Sequence, residues 1–413
     1  MKKVIATVIG LLACFAFGYF WKDIRNNQFP GSSRDYLLGI RTSGKNVRDD
    51  QVFKDVYARV AGTNIKKADR KELKYAAMEG LVASLGDPHS NFFVPKINTA
   101  FRDETSGKFF GIGARLTPDN AGVKVTQVFT DGPAQKAGVL AGDIITTVDG
   151  TNVAGMDSDD IVLMIKGKEN TIVRLKILRP NVEQPIEFAI KRQKVVPPSV
   201  ESKVLKAQNT GYIRILNFSQ EVPEQFDREL ETVEAAGIKG LVIDLRGNPG
   251  GSLDAAIMIL SRFIDNKLAV TLKFREENQQ ETYETSKGDT HYFKYPITVL
   301  VDGESASAAE IMAGVLKDYN KATLIGERTY GKFSVQTVFN QIDGAGIKLT
   351  IAHYFLPKSG AKSRKVDEDG TYISGGLDPD ILVKVDEEKE YEPGNLERDN
   401  QLARAVEFLR TGK

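Results

Sequence analysis

Three short stretches hold the residue types from which a hydrolytic site can be built. They are "GESASAAE" with Ser305 and Ser307, "RGNPGG" ending in Gly250 and Gly251, and "TYGKFSVQ", whose Lys332 lies 25 residues beyond Ser307. A serine hydroxyl is a weak nucleophile that needs a base for its proton and donors for the oxyanion it generates. Gly250 and Gly251 lack side chains, so their amides can come close to a carbonyl where a helix starts. The amide of Ala308 is placed in the same way by the helix that opens at Ser307. Each stretch also has an ordinary reading: a turn for "NPGG", a helix cap for a single Ser, and a solvated surface position for a lone lysine.

The chain offers three histidines as bases. His89 falls in an N-terminal helical region, His291 in the polar loop "SKGDTHYF", and His353 in the core strand "LTIAHYFLP". No G-x-S-x-G elbow occurs, so a histidine triad has little support, and His353 alone stands as a rival base. Lysine serves the same purpose once it is neutral, and burial disfavours its ammonium form. Gly331 eases a close backbone approach beside Lys332. If "KFSVQ" is extended, Lys332, Ser334 and Gln336 face one side and Phe333 and Val335 the other. Gln336 is then placed to hold the amine in line.

These stretches need a scaffold, and the pattern from about residue 210 supplies one. The strands "GYIRILNF", "GLVIDLR", "PITVLVDG" and "ATLIGE" alternate with helices such as "EQFDRELETVEAAG" and "SLDAAIMILSRFI". Such alternation implies βαβ units around a buried, largely parallel sheet. Ligands of open sheets bind beyond the carboxyl ends of the strands, where both "GNPGG" and "GESAS" fall. Between about 108 and 180 the texture is different, with short β-rich runs punctuated by glycine. Before that, "QVFKDVYARV" and "ADRKELKYAAMEGLVASLGD" carry helical spacing, with Leu73, Ala77, Leu81 and Leu85 on one face, and "GDP" ends the second of them.

A length of 413 residues implies more than one compact unit. With 56 basic and 55 acidic residues, electrostatic binding to nucleic acid finds no support, and nucleic acid is set aside as a partner. The single cysteine, Cys14, excludes internal disulfides and cysteine-rich metal clusters. Two lysines followed by the apolar stretch Val4 to Trp21 read as an export signal or membrane anchor. That length just spans a bilayer, and no clean cleavage site follows. An uncleaved anchor over 1–23 is therefore expected, with lipid attachment at Cys14 as the rival.

Together, "NPGG", "SASAAEI" and "TYGKFSVQ" resemble the C-terminal processing peptidases, or tail-specific proteases, a family that uses a Ser/Lys dyad. The resemblance covers nearly the whole chain after the anchor. "LGDPHSNFF" resembles the segment before that family's PDZ domain, and "FFGIGARL…GPAQKAGVLAGDIITTVDG" resembles the PDZ domain itself. "LTIAHYFLPKSG" and "GGLDPDILV" resemble the strands closing the core, and "RDNQLARAVEFL" the final helix. The chain departs from the family in Phe333 after the lysine, expected to narrow the channel beside the base, and in Ala309.

The resemblance implies an α+β multidomain protein: an α/β peptidase core with βαβ units, an inserted β-rich PDZ domain and an N-terminal helical region. The segments are an anchor over 1–23, a linker over 24–47, helices over 48–107, the PDZ-like domain over 108–190, the core over 191–385 and a C-terminal helix over 386–413. It implies Ser307 as nucleophile, Lys332 as general base and Gln336 as the orienting residue. Ala308 and either Gly250 or Gly251 then supply the oxyanion donors, and Ser305 belongs to the approach loop. In the PDZ-like module, amides around Gly111 and Gly113 would grip a terminal carboxylate while Phe110 and Ile112 line an apolar pocket. The implied function is an extracytoplasmic serine endopeptidase, in the periplasm or cell envelope, that takes proteins with free C-terminal tails and cuts through an acyl-enzyme. No metal or organic cofactor is required, and a homo-oligomer or an activating adaptor is the further partner implied. The competing reading is a PDZ adaptor on an inactive peptidase core.

Overall fold

A computed structural model describes residues 49–63, 69–106, 109–276, 278–288, 295–367, 372–386 and 391–413 of the chain. It falls into two compact units, 1–80 and 81–413. In the first, helix Asp49–Thr63 precedes a helix that begins at Arg70, and the Tyr57 hydroxyl donates to the Arg70 carbonyl at 2.8 Å. The expected anchor, the linker and Cys14 lie outside the described residues. Among the described residues no helix is long and apolar enough to cross a membrane.

The second unit is organised by a six-stranded sheet. Its order is Val200–Leu205, Thr210–Ile215, Gly240–Asp244, Ile297–Val301, Thr323–Gly326 and Ile381–Leu382. The first pair is antiparallel and the rest run parallel. Gly240–Asp244 and Ile297–Val301 are buried along their whole length. The reason is visible in how alternate residues are shared out. Leu241, Ile243, Val299 and Val301 join a core with Phe226, Ile257 and Ile311 from three helices. Val242 and Leu300 join a second core with Leu402 and Val406 of helix Asn400–Thr411. A sheet covered on both faces has no polar side, so its strands read as unbroken apolar runs.

A second, antiparallel sheet carries the lysine segment. Gly346–Phe355 lies at its centre and pairs with Asn91–Phe93, Ser334–Asn340 and Leu268–Phe274. Residues 109–195 fold as a separate β-rich module. Its sheet runs Ala114–Asp119, Gly122–Val128, Ile144–Val148, Ile172–Leu178, Ile186–Lys191, around a core of Val123, Ile145, Ile161, Leu175 and Ile190. The strands by which the chain enters and leaves, Phe109–Gly111 and Gln193–Val195, pair with each other.

One buried ionic network fastens the C-terminal helix to the sheet. Arg246 donates to Asp244 Oδ1 and Oδ2 at 2.9 and 2.6 Å, to both Asp399 oxygens at 2.8 and 2.6 Å, and to Gln401 Oε1 at 2.8 Å. Asp399 also caps the helix by accepting from Leu402 N at 2.9 Å. All the side chains are shut away from solvent, and truncating one partner strands a charge. Asp399→Ala is expected to cost about 3–5 kcal/mol in urea unfolding.

Candidate active site

Ser307 stands at the junction between strand Ile297–Val301 and helix Ala308–Asp318, at φ +55° and ψ −116°. This conformation is rare for a residue with a side chain and costs of order 1–3 kcal/mol unless its surroundings impose it. Several contacts do. The Ser307 amide donates to Glu310 Oε2 at 3.0 Å. Its carbonyl accepts from Ile311 N at 2.9 Å and from the Tyr354 hydroxyl at 3.2 Å. Ser305, two residues earlier, is fully buried and donates to the Leu245 carbonyl at 2.9 Å. It thereby shapes the loop that delivers Ser307.

The lysine segment meets the serine segment through the same side chains. Glu310 is 0% exposed, and Oε2 accepts from Lys332 N at 2.8 Å as well as from Ser307 N. Its other oxygen accepts from Gly331 N at 2.7 Å and from the Thr329 hydroxyl at 2.6 Å. Burial pushes this carboxyl above the usual carboxylate range, and the four donors pull it back. Tyr354, completely buried, adds a second bridge by donating to the Lys332 carbonyl at 2.8 Å and to that of Ser307. Glu310 is detectable in the sequence as the third residue of the helix after Ser307, an S-x-x-E spacing in which such a side chain turns back to the capping amide. Nothing local marks Tyr354.

A cleft of about 700 Å³ opens beside these residues, lined by Ser307, Ala308, Lys332, Gln336, Gly250 and Gly251. All six site residues expected of the peptidase core therefore share one cavity. Gly250 and Gly251 take φ values of +97° and +143°. A Cβ on Gly250 would lie 2.7 Å from Ser307 Cβ and 2.9 Å from Ala308 N, and one on Gly251 2.4 Å from the Phe218 carbonyl. Asn248, unremarked in the sequence, fixes this loop. It donates to the Ile215 carbonyl at 2.8 Å, accepts from Gly250 N at 2.9 Å, and its carbonyl accepts from Ala306 N at 3.0 Å.

Charge in the cleft is set by burial and by neighbours. Burial holds the Lys332 ammonium below the ordinary lysine range, the like charge of Lys348 pushes it further down, and Glu310 and Asp87 oppose them. Lys348 lines the same cleft, and it too is held low by burial, against the pull of Asp87. His89 is lowered by burial and then by Lys332. The turn that carries it, expected only to end a helix, thus lies within electrostatic reach of the lysine.

Two expectations about side chains need correction. Phe333 does not narrow the cleft. It is 1% exposed and stacks on Tyr354 with ring centroids 4.7 Å apart, so it supports the wall from behind. The strict alternation expected over "KFSVQ" also fails, because a bulge lies between Val335 and Gln336 and Ser334, Val335 and Gln336 all reach the cleft. His353 is exposed and engages the Phe333 carbonyl through Nδ1 at 3.2 Å, away from the cavity lining. His291 lies outside the described residues.

In the β-rich module, Phe110 is partly exposed at 38%, whereas Ile112 is 3% exposed and belongs to the module's core. Of these two residues, Phe110 is the one that presents an open wall. Gly111 ends the strand paired with Gln193–Val195, and Gly113 takes φ +76° while its carbonyl accepts from Phe129 N at 2.9 Å.

Residues 209–383 match the model of peptidase family S41, and residues 124–179 match that of the PDZ domain. The chain is 34% identical over 337 residues to the carboxy-terminal-processing protease of Bartonella bacilliformis, covering 80% of this chain and 74% of that one. It is 32% identical over 331 residues to the carboxy-terminal processing protease CtpB of Bacillus subtilis, covering 79% and 66%. A probable CtpA-like serine protease of Staphylococcus aureus is 35% identical over 352 residues, covering 84% and 68%. The chain belongs to peptidase family S41, as a PDZ-containing protease homologous to the carboxy-terminal processing proteases.

Proposed function

We propose that the protein is a serine endopeptidase that cuts protein substrates with Ser307 as nucleophile and Lys332 as general base. The observation that carries this reading is the shared clamp. One buried carboxylate, Glu310, accepts from the amides of both residues, and both side chains line one cleft. Ser307 Oγ attacks the scissile carbonyl as the Lys332 amine takes its proton. The carbonyl oxygen receives hydrogen bonds from backbone amides, Lys332 returns the proton to the nitrogen of the peptide that leaves, and a water that gives its proton to the same lysine releases the acyl-enzyme. Ala308 N is one donor. Gly250 N is engaged by Asn248, which favours Gly251 N as the other. Gln336 orients the amine.

Recognition falls to the PDZ domain. Ala114–Asp119 ends its sheet and pairs on one side only, with Gly122–Val128. A peptide can therefore add as a further strand, with its carboxylate at the Gly111–Gly113 turn. The N-terminal apolar segment supports action outside the cytoplasm, at the membrane that the segment would hold.

Peptides ending in free or amidated apolar residues, incubated with wild type and Ser307→Ala and followed by mass spectrometry, test this. Wild type cuts the free-tailed peptides, amidation slows the cut, and Ser307→Ala abolishes it. Cleavage that persists in Ser307→Ala refutes the assignment. Because the base must be neutral, kcat/KM rises with pH through a Lys332 ionisation below the ordinary lysine range. Lys348→Met removes a like charge, so Lys332 holds its proton to higher pH and the rising limb moves upward. An unmoved limb counts against Lys332 as base. Gly250→Ala forces a methyl into the space of Ser307 Cβ, and activity is expected to fall by about 100-fold or more.

A further inference from the structure

Three of the side chains that line the cleft are cationic, Lys332, Lys348 and Arg102, and none of the described residues lining it is acidic. A cleft walled by one sign of charge concentrates ligands of the other sign. Lys332 is neutral when it works as the base, so the field at that moment comes from Lys348 and Arg102. Among the described residues neither of these two is ion-paired.

Lys348 is the better placed of the two, because the fold holds it from several sides. Strand Gly346–Phe355 is paired along both edges here, with Lys348 opposite Val338 on one side and Asn91 on the other. Its ammonium lies 5.6 Å from the Phe93 ring centre and 5.5 Å from that of Phe101, and the two rings stand 5.1 Å apart at an angle of 35°. Aromatic faces attract a cation but bring no counter-charge. Helix Pro95–Ser106 carries Phe101 and Arg102 to the cleft. Asn98 pins that helix to the hairpin leading into the Lys348 strand, donating to Asn340 Oδ1 at 3.0 Å and to the Gly344 carbonyl at 3.1 Å. Asp87 acts on Lys348 from a distance, and its oxygens are bonded instead to His89 N and the Ser90 hydroxyl.

A half-buried ammonium with no counter-ion gains much when a carboxylate arrives, since the pair is worth more there than in water. Burial already holds Lys348 below the ordinary lysine range, and a bound anion opposes that effect. We propose that Lys348 is a specificity-determining residue whose ammonium, set against Phe93 and Phe101 in the cleft wall, pairs with an acidic side chain of the substrate, so that cutting is best where an Asp or Glu lies near the scissile bond. This rests on the reading of the cleft as the place where Ser307 cuts. The free terminus of the substrate is assigned to the PDZ domain, which leaves a side chain as the source of the carboxylate.

The test uses the full chain and peptides that share one free apolar tail and differ in a single Glu moved along the sequence upstream of it, each matched to its Gln twin. At one position wild type is expected to cleave the Glu peptide with kcat/KM about tenfold above that of the twin. Lys348→Arg keeps the preference, and Lys348→Met brings the ratio to within about twofold of unity. Each enzyme is compared with itself, so the influence of Lys348 on Lys332 cancels from the ratio. Twins cut alike at every position overturn the proposal, and so does a preference that Lys348→Met leaves intact. If Lys348→Met does not turn over, amidated fluorescent twins are titrated by anisotropy into Ser307→Ala with and without Lys348→Met: a Glu preference lost with the lysine supports the proposal, and equal binding of the twins to Ser307→Ala overturns it. Cleavage that survives Ser307→Ala overturns the nucleophile assignment, and the anisotropy ratio then judges Lys348 by itself.

Discussion

A serine on the edge of one sheet and a lysine leading into another have no local reason to be neighbours, and here a single carboxylate makes them so. Glu310 lies in the first turn of the helix that Ser307 opens, and it accepts from the amides of Ser307, Gly331 and Lys332 and from the Thr329 hydroxyl. Such a group is costly to bury alone, and four donors are what make its burial tolerable. Each donor comes from the serine segment or from the lysine segment. The positive φ of Ser307 belongs to the same arrangement, since a strained backbone persists only where its neighbours over-determine it. Tyr354, stacked on Phe333, repeats the restraint from the opposite side by donating to both carbonyls.

Outward from that clamp, the sheet supplies rigidity and the loops supply approach. The parallel strands are packed on both faces, so the two loops at their carboxyl edge start from fixed positions. Asn248 ties the glycine loop to the Thr210–Ile215 strand and to the loop before Ser307. The Arg246 network closes the back of the same loop onto the C-terminal helix. Polar groups in this core are thus organised around the segments that flank the cleft.

Much of this is legible in the chain itself, for reasons that differ by element. The strands "GLVIDLR" and "PITVLV" are continuous apolar runs because both faces are covered, and that pattern survives in the sequence. Gly250 and Gly251 are legible because only glycine tolerates their φ and their closeness to Ser307 and Phe218. Glu310 follows a spacing that helix starts use. Tyr354, Asn248 and Lys348 leave no such trace, because they act across distances in sequence that only the fold closes. Tyr354, for instance, is 47 residues from Ser307. Phe333 was misleading for a related reason. A bulky residue next to the cleft lysine looks like a constriction until its ring is found stacked on another ring, behind the wall. The bulge after Val335 likewise has no signal of its own and overrides the two-residue repeat.

The ribbon formed by Phe109–Gly111 and Gln193–Val195 means that the PDZ domain begins and ends at one point. Paired strands keep facing Cα atoms about 4.5–5.5 Å apart, so the peptidase core meets the domain across a gap that one or two residues can bridge. Evolution can therefore trade one reader for another, or lengthen its tether, without asking the scissors to be rebuilt.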